Sequence, residues 1–130
     1  MTNGRRILAA ACLAEALTGL GLIAAPWLVV GLRMGVEPEG VAIVIGRVAG
    51  VALIALAVAC WPGPSERENA KCYLAMLLYN ALVALVLGAV GLDGEIVGRL
   101  LWPVAILHFL LSALLGWAMS RSKSTNGSSP

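Results

Sequence analysis

The stretch ILAAACLAEALTGLGLIAA, residues 7–25, carries one strongly polar, charged side chain, Glu15, inside an apolar run that continues to Val30. About 20 apolar residues in helical geometry cross the hydrocarbon core of a bilayer, so this segment reads as a membrane span. A charged side chain at the centre of such a span costs about 2.5–3.5 kcal/mol on insertion scales, which makes Glu15 a residue that needs a reason. Arg5 and Arg6 precede the run in the manner of a signal peptide. Glu15 nevertheless interrupts the apolar stretch, and Pro26 follows Ala24 and Ala25 where cleavage would fall, so the segment is expected to persist as a helix.

Outward from it, the same pattern recurs at Val41–Cys60, Cys72–Leu92 and Ile96–Met119, and each stretch again holds one strongly polar residue: Arg47, Asn80 and His108. A chain of 130 residues that is 60% hydrophobic and 12% charged is too apolar for a soluble domain and too short for two domains. The expected fold is all-α, an antiparallel four-helix transmembrane bundle over residues 1–119 followed by a disordered polar tail, SRSKSTNGSSP, at 120–130. The net charge of +2 is spread over ends and loops, with no Lys/Arg density fit for a nucleic-acid groove, so nucleic acid is excluded as a partner.

The helix ends have their own chemistry. Ser65 and Glu68 have the spacing of a capping box and start the third helix at Glu66, while Asp93 is placed to cap the fourth. Gly35, Pro38 and Gly40 make the connection from Gly31 to Gly40 a loop, with room for a short interfacial turn; Pro26 and Pro103 sit near the outer helix ends. Arg5, Arg6, Arg67, Lys71, Arg121 and Lys123 fall on one side of a four-span chain against Arg33 and Arg99 on the other, which puts both termini in the cytoplasm. Trp27 and Trp102 then mark the outer interface, Trp61 and Trp117 the inner one. Cys12, Cys60 and Cys72 lie in or beside the inner half, where an odd number of thiols on a reducing side reads as small apolar fillers and not as a structural disulfide.

Depth and face bring the polar residues together. At 1.5 Å of rise per residue, Glu15 and Asn80 lie roughly 12 Å from the inner side, His108 roughly 15 Å from the outer side, and Arg47 roughly 9 Å from it on a side chain that reaches further inward. Glu15 shares its face with Ala11 and Gly19, Arg47 is bordered by Gly46 and Gly50, Asn80 aligns with Met76, Ala84 and Gly88, and His108 with Ser112 and Gly116. Small residues at this spacing mark faces where membrane helices approach closely. The candidate site is therefore Glu15, Arg47, Asn80 and His108, with Ser112 on the His108 face and Tyr79, about 100° from Asn80, at its edge.

Two uses of that centre follow. As structural glue, Glu15 pairs with Arg47, and Asn80 and His108 hydrogen-bond around them. As a working site, Glu15 and His108 exchange a proton while a small apolar or amphipathic ligand binds, in a transporter or in an acid/base enzyme acting on a lipid-soluble substrate. The single His excludes a bis-histidine haem within one chain, and there is no phosphate-cradling Gly loop, metal-ligand cluster or triad, so no cofactor or metal is expected. The expected role is a non-enzymatic membrane component that associates with itself or with a larger complex in the lipid bilayer.

The small size, four spans and Leu13-Ala14-Glu15 in the first helix resemble the small multidrug resistance transporters, and this resemblance implies a first-helix glutamate that exchanges protons for drug. Tyr79-Asn80 in the third span, with Leu101-Trp102-Pro103 and His108 in the fourth, make the whole chain similar to small four-helix inner-membrane proteins of bacteria. That second resemblance implies a location and no activity.

Overall fold

The structure, a computed structural model, describes residues 2–126. Its elements are five helices: α1 (Asn3–Ala24), α2 (Pro26–Met34), α3 (Val41–Ala59), α4 (Glu66–Asp93) and α5 (Leu101–Asn126). Four of them, α1, α3, α4 and α5, are long and apolar enough to cross a membrane.

The fifth helix arises where the sequence suggests a single span running from Ile7 to Val30. Pro26 bars the preceding residue from helical geometry, and Ala25 takes φ −143° and ψ 67°, closing α1 through its N–H to the Gly21 carbonyl at 2.8 Å. Pro26 then occupies the first turn of α2, where its missing N–H has no intrahelical partner to lose. α2 folds back along α1 instead of extending it. Val29 packs where a Cβ on Gly21 would stand at 3.0 Å, and Arg33 reaches Thr18.

α4 begins at Glu66 as the capping pattern suggests, but the Ser65 side chain makes no cap hydrogen bond. Asn69, 1% exposed, braces the turn instead, its Oδ1 accepting from the Gly63 N–H at 2.8 Å and its Nδ2 donating to the Gly63 carbonyl at 3.2 Å. Asp93 ends α4 and does not cap the last helix, because Gly94 adopts φ 80°, a left-handed conformation that glycine supplies without steric cost. The chain then pairs with α2, Gly98 N–H to the Arg33 carbonyl at 3.0 Å and Leu100 N–H to the Leu32 carbonyl at 2.8 Å. α5 consequently starts at Leu101 and not at Ile96. The stretch read as a polar tail enters the structure as the end of α5 through Asn126; residues 127–130 lie outside the described residues.

α1 packs on α3, α4 and α5, and the two closest pairings are α1 with α3 and α4 with α5. Gly19 and Gly50 let α1 and α3 touch: a Cβ on either would lie 2.6 Å from the carbonyl oxygen of the other. Leu8, Ala11, Met76, Leu111 and Leu115 form the core beside this seam. Large aliphatic side chains face outward, with Val41 73%, Leu85 68% and Leu92 82% exposed, an arrangement opposite to that of a water-soluble bundle.

Candidate functional site: a buried Glu–His–Asn centre

Glu15 on α1, Asn80 on α4 and His108 on α5 are 1%, 0% and 5% exposed, and they meet as the sequence suggests. Asn80 sets the chemistry. Its Nδ2 donates to the Met76 carbonyl one turn back at 2.8 Å, which turns Oδ1 toward His108 Nδ1, also at 2.8 Å. An amide oxygen accepts, so Nδ1 carries the hydrogen, and a neutral His108 keeps its lone pair on Nε2.

Glu15 Oε1 lies 3.7 Å from the same Nδ1, close enough for electrostatic attraction and too far for a hydrogen bond. Neither carboxylate oxygen of Glu15 has a hydrogen-bond partner among the described residues. The Tyr79 hydroxyl stands beside the same carboxylate as its nearest donor but outside full hydrogen-bond geometry, and the Arg33 guanidinium acts on it electrostatically. Tyr79 also sets its ring edge-on to His108, with centroids 6.0 Å apart and planes at 74°.

Arg33 is the residue that sequence reasoning missed. Its Nη2 donates to Thr18 Oγ1 at 3.1 Å. Burial pushes the guanidinium below its ordinary value, an effect opposed by Tyr79 and Glu15, and it remains a cation. Thr18 stands three residues after Glu15 on the same helical face, which is a legible signal. Arg33 gives none while α1 is drawn straight through Pro26, because that drawing places it on an outer loop.

Arg47 and Ser112 are not part of the centre. Arg47 is exposed and forms no ion pair with Glu15 among the described residues. The bordering glycines explain why: Gly46 faces Pro26 and Gly50 faces Gly19, so they occupy the packed side of α3 and rotate Arg47 off it. Ser112 donates to the Phe109 carbonyl of its own helix at 2.8 Å. It lines an open apolar groove of about 410 Å³ between α4 and α5, with Ala84, Gly88 and Trp102. Among the described residues no group of His, Cys, Asp or Glu is arranged to hold a metal ion.

The two arginines are expected to differ on replacement. Arg33→Met removes a hydrogen bond from a charged donor and should lower stability by about 1.5–3 kcal/mol, whereas Arg47→Leu should change it by no more than about 0.5 kcal/mol. Thermal unfolding of the purified variants in one detergent measures both, and a larger loss for Arg47→Leu would contradict this placement.

A buried carboxylate that completes no hydrogen bond among the described residues, an imidazole of fixed tautomer and a nearby guanidinium make a centre able to take up a proton or a hydrogen-bond donor. Compared with known proteins, the chain matches no family model, no curated protein and no solved structure.

Proposed function

We propose that this chain is a non-enzymatic integral membrane protein whose Glu15–His108 centre binds a small amphipathic ligand in exchange for a proton. The observation that carries this reading is the Glu15 carboxylate, 1% exposed with neither oxygen completing a hydrogen bond among the described residues. Burying such a group without donors is costly. A proton on the carboxyl removes the cost, and so does a ligand N–H. The two compete for the same oxygens, which couples binding to proton release. The glue reading is weaker, because its cation, Arg47, is exposed.

The outward aliphatic surface supports insertion as an antiparallel four-span bundle, with the bilayer as its first partner. The bacterial inner membrane is the location implied by the resemblance to small four-helix proteins, and the excess of Arg and Lys on one side favours cytoplasmic termini. The exposed α3 face around Val44 and Val51 is the surface offered for self-association or a larger complex. Introduced cysteines test the orientation: those at Ser65 and Ser124 should resist an impermeant outside reagent, and one at Val36 should react. Labelling of Ser124 from outside intact cells would reverse the topology.

Benzylamine is a suitable amphipathic probe. Added as its hydrochloride to the detergent-solubilised protein in weak, mildly acidic buffer, it should release up to one proton per molecule bound, and Glu15→Gln should bind without release. Equal release from the variant, or none from the parent protein, would end the proposal. A benzylamine flux driven by a pH gradient across proteoliposomes would extend binding to transport.

A further inference from the structure

Three cysteines from different parts of the chain gather around the carbonyls that end α3. Cys12 Sγ donates to the Cys60 carbonyl at 3.2 Å, and Cys72 Sγ donates to the Ala59 carbonyl at 3.8 Å. Cys60 directly follows Ala59, whose carbonyl Cys72 Sγ touches, so the Cys60 and Cys72 residues lie side by side where α3 ends. All three are free cysteines. Cys12 and Cys60 are buried at 1% and 5% exposure, and Cys72 is half-buried.

We propose that Cys60 and Cys72 are a redox pair that forms a reversible disulfide in response to a hydroperoxide. The geometry assigns separate parts to the three sulfurs. Cys72 is the most exposed of the three sulfurs, so it is oxidised first; Cys60, next to the Ala59 carbonyl that Cys72 touches, is the resolving thiol. Cys12, at the wall of a groove it shares with Ala57 and Trp61, is only 1% exposed and has its thiol turned onto the Cys60 carbonyl, which leaves it out of the reaction.

The chemistry balances in two steps. The Cys72 sulfur attacks the terminal oxygen of the hydroperoxide, the O–O bond breaks, an alcohol leaves, and Cys72 becomes a sulfenic acid. The Cys60 sulfur then attacks the Cys72 sulfur, the S–S bond forms as the S–O bond breaks, and the hydroxyl leaves as water with the Cys60 proton. The dithiol loses two electrons and the peroxide gains two. A small thiol restores both cysteines by exchange.

The bond would fasten two elements that otherwise join through the Trp61–Ser65 connection, since α3 rests chiefly on α1 while α4 rests chiefly on α5. Cys72 also begins the line Cys72, Met76, Asn80 on one face of α4, two turns from the amide that orients His108. The inference stands on the thiol geometry alone and survives failure of the ligand exchange proposed for Glu15.

The test uses the full chain in detergent, treated with equimolar tert-butyl hydroperoxide, denatured, alkylated and digested with trypsin. Cleavage after Arg67 and Lys71 separates the two cysteines, so a disulfide joins two peptides and is read by mass. The expected product links Cys60 to Cys72, leaves Cys12 alkylated, reverts with dithiothreitol and persists in Cys12→Ser. In Cys60→Ser, dimedone should trap a sulfenic acid at Cys72. A link through Cys12, a link between two chains, or oxidation of Cys72 to the sulfinic acid without any link in the parent protein would overturn the proposal.

Discussion

Gly50→Leu is expected to lower the stability of the protein by about 3 kcal/mol, the upper end of the usual cost of overpacking. The reason is what the new side chain meets. A Cβ at position 50 lies 2.6 Å from the Gly19 carbonyl oxygen and 3.0 Å from side-chain atoms of both Leu22 and Ile23. A flexible side chain could move aside, but a backbone carbonyl within α1 cannot shift without disturbing its helix, so α1 and α3 must part. Gly88 supplies the control. Nothing lies within 4 Å of a Cβ built there, and Gly88→Leu should fall within about 0.5 kcal/mol of the parent. Unfolding by detergent titration, followed by circular dichroism, gives both values. Similar losses at the two positions would mean that α1 and α3 do not touch at Gly19.

Most of the architecture was legible because apolar length is a strong signal that local detail cannot erase. The four long helices lie on the four hydrophobic stretches, and three of the four polar residues singled out from depth and face do converge. What went astray has local physical causes. The αL conformation of Gly94 hands Asp93 to α4, and the hydrogen bonds of Gly98 and Leu100 to α2 delay α5 by five residues relative to Ile96. Neither effect has a periodic signature. The Pro26 signal was visible, but a proline between apolar residues permits a bend, a break or a reversal, and only packing against α1 selects the reversal that brings in Arg33.

The exchange of Arg47 for Arg33 shows how helical faces mislead. Glycines beside a polar residue suggest that it faces a neighbouring helix. On a helix, Gly46 and Gly50 are four residues apart and share the packed face, and Arg47 stands about 100° from the first and about 60° from the second on the same side, roughly 80° off the middle of that face. Glu15 and Gly19, four residues apart, do share a face, and both are buried. The four-residue relation therefore places Glu15 on its packed face, whereas glycines one and three residues from Arg47 define a face whose edge Arg47 only skirts.

The second large effect is expected at Asn80. Asn80→Leu keeps nearly the same volume but deletes the acceptor 2.8 Å from His108 Nδ1, leaving a buried N–H without its partner. An orphaned buried donor costs about 1–3 kcal/mol, and the Met76 carbonyl loses only the extra bond from Asn80 Nδ2. His108→Leu in the same chain removes the donor as well, so the double variant should regain much of the loss, a coupling that a thermodynamic cycle isolates. Nitrogen NMR of selectively labelled histidine provides a second readout. His108 is the chain's only histidine, so its two ring signals are unambiguous. In the neutral parent protein the hydrogen should sit on Nδ1, held there by the Asn80 oxygen, and in Asn80→Leu it should redistribute toward Nε2. Additive stability losses, or a parent protein with its hydrogen on Nε2, would show that Asn80 does not orient the imidazole, and the centre would lose the element that fixes which nitrogen faces Glu15.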